Sequence, residues 1–214
     1  MRPLTIAPWT REFSTLCPNP ETDQPRDTIQ EPAFSKQKSI TPSHLPHLTA
    51  SGSAHMVSIT TKPVTSRTAV AVGRVRFSNS APLPLIKSNA LKKGDVLGVA
   101  RVAGIMASKK CPEIIPLCHP ILLSHVGVQL ALVDSGAEGA EHGAVEIEAK
   151  VECTGATGVE MEALTAVMAA ALTVVDMCKA VDKAMVVEGV TVVLKEGGRS
   201  GTWREDGWIS RFGT

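Results

Sequence analysis

Aromatic residues are scarce in this chain of 214 residues. It has four Phe, three Trp and no Tyr, and no ring occurs between Phe77 and Trp203. The middle of the chain must fold without aromatic anchors. That excludes proteins that read single strands by stacking bases on Phe, Tyr or Trp, and aromatic cages for quaternary ammonium groups. A dominant charge is also missing: 22 basic residues against 21 acidic ones leave a net charge of +1, which argues against a general binder of duplex DNA or RNA. Cysteine is sparse, at Cys17, Cys111, Cys118, Cys153 and Cys178, with no CxxC pair. Such a set describes neither a disulfide scaffold nor a structural zinc site, and points to reduced thiols in a cytosol or matrix. No run of about 18 apolar residues is free of charge, which speaks against a membrane span. The richest stretch, residues 163–175, is expected to be a buried helix.

Glycine is absent from residues 1–50, which hold eight of the fourteen prolines; all seventeen glycines come later. Those fifty residues show no sustained apolar period, so they are expected to be mostly disordered. Their first eleven residues carry two Arg and no acid, as an organelle-targeting segment would, but Glu12, Glu21, Asp23 and Asp27 follow. A targeting segment, an untargeted tail and a linker of a larger fusion all stay open. A mitochondrial matrix location follows from the first reading and a cytoplasmic one from the others.

From residue 51 the chain has clear periods, and 43% hydrophobic residues overall suffice for one packed domain, expected over 51–202 with a tail at 203–214. Residues 67–78 read as a strand with a bulge at Gly73. Residues 95–110 read as a helix after Gly94, with Val96, Val99, Ala103 and Met106 at helical spacing. Val126, Val128, Leu130 and Leu132 alternate, as do Val145, Ile147, Ala149 and Val151, which predicts a hairpin. The second strand's other face, Glu146, Glu148, Lys150 and Glu152, reads as solvated. A long helix at 157–180 and a Val-rich strand at 186–195 complete the order β-α-β-β-α-β. That is the α+β, ferredoxin-like arrangement: an antiparallel sheet with helices packed on one face. Residues 54–61 could add a strand and 82–91 a short helix.

The long helix carries the sharpest signal. At 100° per residue, Glu162, Thr165, Ala169, Thr173 and Asp176 share one narrow stripe, and almost everything else is apolar. A helix apolar over so much of its circumference needs cover on more than its sheet side, which predicts a homo-oligomer with this helix near a subunit contact. Glu162 and Asp176 stand fourteen residues apart, about 21 Å. If both ends serve one nucleotide-sized ligand, they come from different subunits. Asp176 and Lys179 are neighbours on the helix surface. Exposed pairs of that kind are common and weak, but this one interrupts an apolar helix, where charges are costly unless paired or used.

Other candidates are less specific. His119 lies in Ile115-Pro-Leu-Cys-His-Pro120, between prolines that stiffen the backbone. Cys118 has no assigned base that would make it a nucleophile, and Cys111, Cys118 and His119 match no common zinc spacing. Lys92, Lys93, Arg101, Lys109 and Lys110 outnumber Asp95 and Glu113, which suits a polyphosphate as well as a solvated face. Lys195-Glu-Gly-Gly-Arg-Ser-Gly201 resembles a phosphate-cradling loop in composition only.

Taken together, Lys93-Gly-Asp-Val-Leu, Ala103-Gly-Ile, Ile115-Pro-Leu-Cys-His-Pro, Thr154-Gly, Thr157-Gly-Val-Glu-Met-Glu-Ala-Leu, Asp176-Met-Cys-Lys-Ala and Lys195–Gly201 resemble the cyclic pyranopterin monophosphate synthase family of molybdenum-cofactor biosynthesis. The match runs over about residues 53–202. The resemblance implies a ferredoxin-like fold and a lyase that turns a 3′,8-cyclo dihydro-GTP into cyclic pyranopterin monophosphate and pyrophosphate. It implies a hexamer, a trimer of dimers with sites at subunit contacts, and functional coupling to the radical SAM GTP cyclase of the preceding step. It also implies Asp176 and Lys179 as the central catalytic pair, with Lys93 a second essential lysine and His119 beside them. Leu117, Cys118, His119, Glu160, Met161, Glu162 and Lys195 are implied as substrate contacts. Leu91-Lys92 departs from the His-rich lead-in of some relatives. No protein cofactor is implied and no metal ligand set is visible, though Mg²⁺ could accompany the triphosphate. The rival readings are a non-catalytic, nucleotide-binding regulatory oligomer of the same fold and an inactive paralogue.

Overall fold

The computed structural model describes residues 52–210. The expectations for residues 1–50 and Cys17 lie outside the described residues. Nine elements follow in order: β1 (Thr65–Arg76), α1 (Pro82–Lys87), α2 (Val96–Ser108), α3 (Cys111–Ile114), β2 (Leu123–Val133), β3 (Ala144–Gly155), α4 (Glu160–Cys178), β4 (Val186–Glu196) and β5 (Trp203–Arg204). The strands form one sheet in the order β2-β3-β1-β4-β5, every neighbouring pair antiparallel. This is the ferredoxin-like α+β fold, with one short strand added at the edge.

Alternation in β3 builds the floor of the core. Val145, Ile147, Ala149, Val151 and Cys153 are all at most 2% exposed and join one cluster with Ala163, Ala166, Val167, Ala170 and Val174 of α4. In β1 the facing residues are Ala69, Ala71, Gly73 and Val75, each opposite one of that buried row. Small side chains there let α4 approach closely: a Cβ on Gly73 would lie 2.6 Å from Val167. The irregularity expected at Gly73 is present, but on the β4 side of the strand only. β1 runs in unbroken register along β3, and the extra residues sit in β4, between the partners of Val70 and Ala71 and of Val72 and Arg74. β4 is the strand that absorbs the twist.

α2 begins at Asp95, whose side chain accepts a hydrogen bond from Gly98 N at 2.9 Å. It packs on β2 and on α4, so α4 is covered by a second helix as well as by the sheet. α4 is the one helix among the described residues long and apolar enough to cross a bilayer, yet its inner residues are the domain core. No strand forms at residues 54–61, where only Ala54 makes an isolated bridge. The segment's use is its contact with His119, described below.

Residues 203–210, expected as a tail, belong to the fold. Trp203 and Arg204 pair with Lys195 and Leu194, and the Arg204 guanidinium stacks 4.9 Å from the Trp208 ring centroid. Ser210 Oγ donates to Glu148 at 2.6 Å. Glu148 is therefore only 8% exposed, which corrects the reading of that face as fully solvated. Arg74 pairs with Glu146 at 2.7 Å and Lys150 with Glu152 at 2.9 Å on the same face.

Asp182 locks the turn between α4 and β4 to the end of β1. It is 2% exposed and accepts from Ser78 N at 2.7 Å, Ser78 Oγ and Ala184 N at 3.1 Å. Burial pushes its carboxyl up, but these hydrogen bonds outweigh burial and hold it below its ordinary value. A lowered native value means the contribution is complete above the ordinary 3.8 and fades as pH falls through the native value. Asp182→Ala strands buried donors and is expected to cost about 2–4 kcal/mol in denaturant unfolding at neutral pH. An unchanged midpoint would contradict this.

Candidate functional site

The expected site residues fall into two groups at opposite ends of α4. At its N-terminal end, Leu117, Cys118, His119, Glu160, Met161 and Glu162 line a cavity of about 270 Å³ together with Val57, Ile59 and Lys62. A neighbouring cavity of about 570 Å³ shares Lys62, Thr157, Gly158 and Glu160 and adds Arg67, Lys195 and Arg199. Lys93, Asp176 and Lys179 line neither cavity. The groove of about 490 Å³ on the open sheet face, under Trp208 and Ile209, contains none of the expected residues.

The loop 115–120 is held by its turn and by His119. Cys118 N donates to Ile115 O at 3.1 Å, and His119 Nε2 lies 2.7 Å from Val57 O. A carbonyl has no proton to give, so Nε2 must donate and a neutral ring leaves Nδ1 free to accept. That tautomer turns an accepting nitrogen away from Val57. Cys118 lies beside Cys111, and burial raises both thiols, Cys111 to about 12. Neither is a poised thiolate. Among the described residues, no three His, Cys, Asp or Glu side chains are placed to hold a metal.

Glu162 is only 3% exposed, in the first turn of α4. Burial raises its carboxyl above the ordinary range, although its own backbone N–H and the Cys111 thiol oppose the shift. The N-terminal helix dipole favours a carboxylate at this place; burial wins over it. Glu160, one residue before Met161, is paired with Lys195 at 3.0 Å, which ties β4 to the start of α4.

At the other end Asp176 bridges two lysines. Lys179 Nζ lies 2.7 Å from Oδ1, and Lys93 Nζ lies 2.5 Å from Oδ2 and 3.0 Å from the Asp176 carbonyl oxygen. Lys93 reaches it from a turn closed by Gly94 N donating to Leu91 O. Hydrogen bonds from Lys179 first, then Lys93, hold the Asp176 carboxyl down to about 2. Asp176 thus stays an acceptor that positions both ammonium groups, and it is not a proton donor near neutral pH. All three side chains are about half exposed, so this triad is open to a ligand or to another chain. The remaining cations of the basic segment separate from it. Arg101 Nε donates to Val128 O at 3.1 Å, and Lys110 faces Glu113 at 3.9 Å.

Lys62, Arg67 and Arg199 escaped the sequence reading. The signals available were Arg67, a charge in the inward-facing row of a strand that is otherwise small and apolar, and the phosphate-loop composition of Lys195–Gly201, which contains Arg199; Lys62 gave none.

Comparison with known proteins identifies the family. Residues 56–198 match the MoaC family model. Proteins named cyclic pyranopterin monophosphate synthase are similar along most of their length. The one from Chloroflexus aggregans is 55% identical, the alignment covering 76% of this chain and 94% of that protein. The one from Corynebacterium efficiens is 55% identical over 75% and 98% respectively, and that from Pelotomaculum thermopropionicum 50% over 80% and 99%. The chain belongs to the MoaC family. These relatives are bacterial and lend no support to a mitochondrial location.

Because Glu162 is destabilised as a carboxylate, its contribution is best below the ordinary value of 4.5 and worsens as pH rises toward the native value. Glu162→Gln is expected to leave Tm unchanged or raise it by about 1–4 °C near neutral pH while lowering activity. A clear loss of Tm would show that Glu162 is needed as a structural anion. In alkylation of the native protein at about pH 8, buried Cys111, Cys153 and Cys178 should stay unmodified; peptide mass spectrometry reads this directly.

Proposed function

We propose that this MoaC-family chain is a cyclic pyranopterin monophosphate synthase, a lyase of molybdenum-cofactor biosynthesis. Its substrate is the 3′,8-cyclo dihydro-GTP and its products are cyclic pyranopterin monophosphate and pyrophosphate. The observation that supports this most is Asp176 held between Lys93 and Lys179, two ammonium groups aimed by one carboxylate at the open end of a rigid helix.

The reaction has two demands. Opening the dihydropurine ring and closing the pyrazine needs repeated proton transfers, which lysine, carboxylate and imidazole can serve. Closing the cyclic phosphate requires a substrate hydroxyl oxygen to attack the α-phosphorus while the bond to the bridging oxygen breaks. The electron pair leaves on pyrophosphate, and nearby cations stabilise that charge. Lys179 takes the main acid–base role and Asp176 positions it. Lys93 assists proton transfer, and His119 orients the substrate from the opposite end of α4. Glu162, kept less acidic by burial, is suited to hold a proton against the purine-derived rings. Magnesium, where it takes part, enters on the triphosphate.

A single helix cannot bring Glu162 and Asp176 to one ligand, so the site is completed between subunits. Val99, Val102 and Met106 of α2 and Met168 and Leu172 of α4 are large apolar side chains left 38–60% exposed, as a subunit contact would require. The assembly we infer is a hexamer, a trimer of dimers, working with the radical SAM cyclase that supplies the substrate, in the cytoplasm.

Lys179→Ala should fold normally and lose about 10²–10⁴-fold in pyrophosphate release from the cyclised nucleotide; near-normal turnover would sink the assignment. Analytical ultracentrifugation should give a hexamer at micromolar concentration, and a monomer would refute the shared site. Mixing inactive Lys179→Ala with inactive His119→Ala should restore part of the activity, because some contacts then combine two intact halves. A regulatory oligomer or an inactive paralogue would bind nucleotide and release no pyrophosphate.

A further inference from the structure

Cys111 is the first residue of α3 and is 0% exposed. It lines neither cavity, yet its side chain meets two residues that line the smaller one, Glu162 and Cys118. A buried thiol is most simply a small apolar filler, but the partners of this one form a directed chain. Thr165 stands one turn beyond Glu162 on α4. A helical threonine can return its hydroxyl proton to the carbonyl four residues back, as Thr173 does to Ala169 O at 2.7 Å. Thr165, only 9% exposed, donates instead to Cys111 Sγ at 3.5 Å. Cys111 in turn has a single thiol proton and two acceptors within reach, the Glu162 carboxyl and the Cys118 sulfur. A carboxylate is much the stronger acceptor, so the proton goes to Glu162. Burial holds the Cys111 thiol up at about 12, which keeps this donor in place throughout the neutral range.

The backbone of Cys111 acts on the opposite wall of the cavity. Its carbonyl accepts from Ile115 N at 2.9 Å, and Ile115 O accepts from Cys118 N at 3.1 Å. The same loop presents His119. One residue thus ties the first turn of α4 to the loop 115–120. A thiol suits the task because S–H is a weak donor. It aims a carboxyl without the strong charge-assisted bonds that hold Asp176 down, so burial still governs Glu162.

We propose that Cys111 is a positioning residue for the reaction: its thiol, fixed by Thr165, aims the Glu162 carboxyl, and its carbonyl anchors the loop that carries His119. This rests on the functional reading above and deepens it. The charged and titratable groups that face Glu162 are Cys111, Cys118, Cys153 of β3, Glu160 on its own helix, and Lys62 and His119 around the cavity. Cys111 is the side chain among them that donates to its carboxyl.

The test uses the full-length oligomer. The C=O stretch of protonated Glu162 is followed by infrared difference against Glu162→Gln, beside pH profiles of kcat/KM on the cyclised nucleotide. A hydrogen bond to the ionised form favours that form, so loss of the donor moves the titration up. Cys111→Ala should shift the Glu162 titration to higher pH and move the matching limb of the kcat/KM profile with it. It should also lower kcat/KM at neutral pH about tenfold. Thr165→Val, which keeps the volume and removes the hydroxyl, should shift the titration the same way by less. Cys111→Ser and Thr165→Ser, which keep the donors, should return it to the wild-type pH or below. If Cys111→Ala fails to fold, Thr165→Val and its Thr165→Ser control carry the test. A Glu162 titration unmoved in these variants overturns the role, whatever the turnover, and leaves Cys111 a packing residue. A shifted titration in a protein that releases no pyrophosphate overturns the synthase reading and leaves Cys111 holding Glu162.

Discussion

α4 is a straight, buried rod with chemistry at both ends, and the rest of the domain is arranged around that constraint. Its middle must be small and apolar, because β1 offers only Ala69, Ala71 and Gly73 beneath it and any larger residue would lift it from the sheet. The two ends carry its charged side chains. At the first turn, Glu160 and Glu162 meet the loop carrying His119; at the last, Asp176 meets the turn carrying Lys93. The rise of the helix keeps these ends about 21 Å apart. A single nucleotide-sized ligand does not span both ends of one such helix.

The two ends treat their carboxylates in opposite ways. Burial governs Glu162, which is 3% exposed and raised. Pairing governs Asp176, which is exposed and lowered to about 2 by two lysines. A group of the first kind holds its proton to higher pH than an ordinary carboxyl, and one of the second kind serves to aim its partners. Environments that separate the properties of like groups are how one fold divides acid–base work. The thiols fit the same logic: burial makes Cys111 and Cys178 inert at about 12 and about 11, so they pack and do not react.

The sheet, its order and its helices were legible because Val145, Ile147, Ala149 and Val151 alternate and α4 is apolar almost throughout. The errors share one cause, that periodicity describes a strand by itself and says nothing of its neighbour. The irregularity expected at Gly73 shows only against β4, because a bulge is a mismatch between two strands. Glu148 appeared solvated because nothing in β3 announces Ser210, sixty-two residues later. The site residues were identified by resemblance, and the Asp176–Lys179 pair also by its place in an apolar helix. Lys62 had no local signal at all, and Arg199 only its place in the glycine-rich loop. They meet at a cavity made by three separated segments.

The lack of aromatic rings takes on its full meaning at that cavity. No Phe, Tyr or Trp lines either cavity, so a ring system bound there would be held without a stacking platform. Apolar grip comes instead from Leu117, Ile121 and the thioether of Met161, which are softer and less directional. Such contacts would leave a bound ring system freedom to open and reclose, which a rigid aromatic sandwich would deny it.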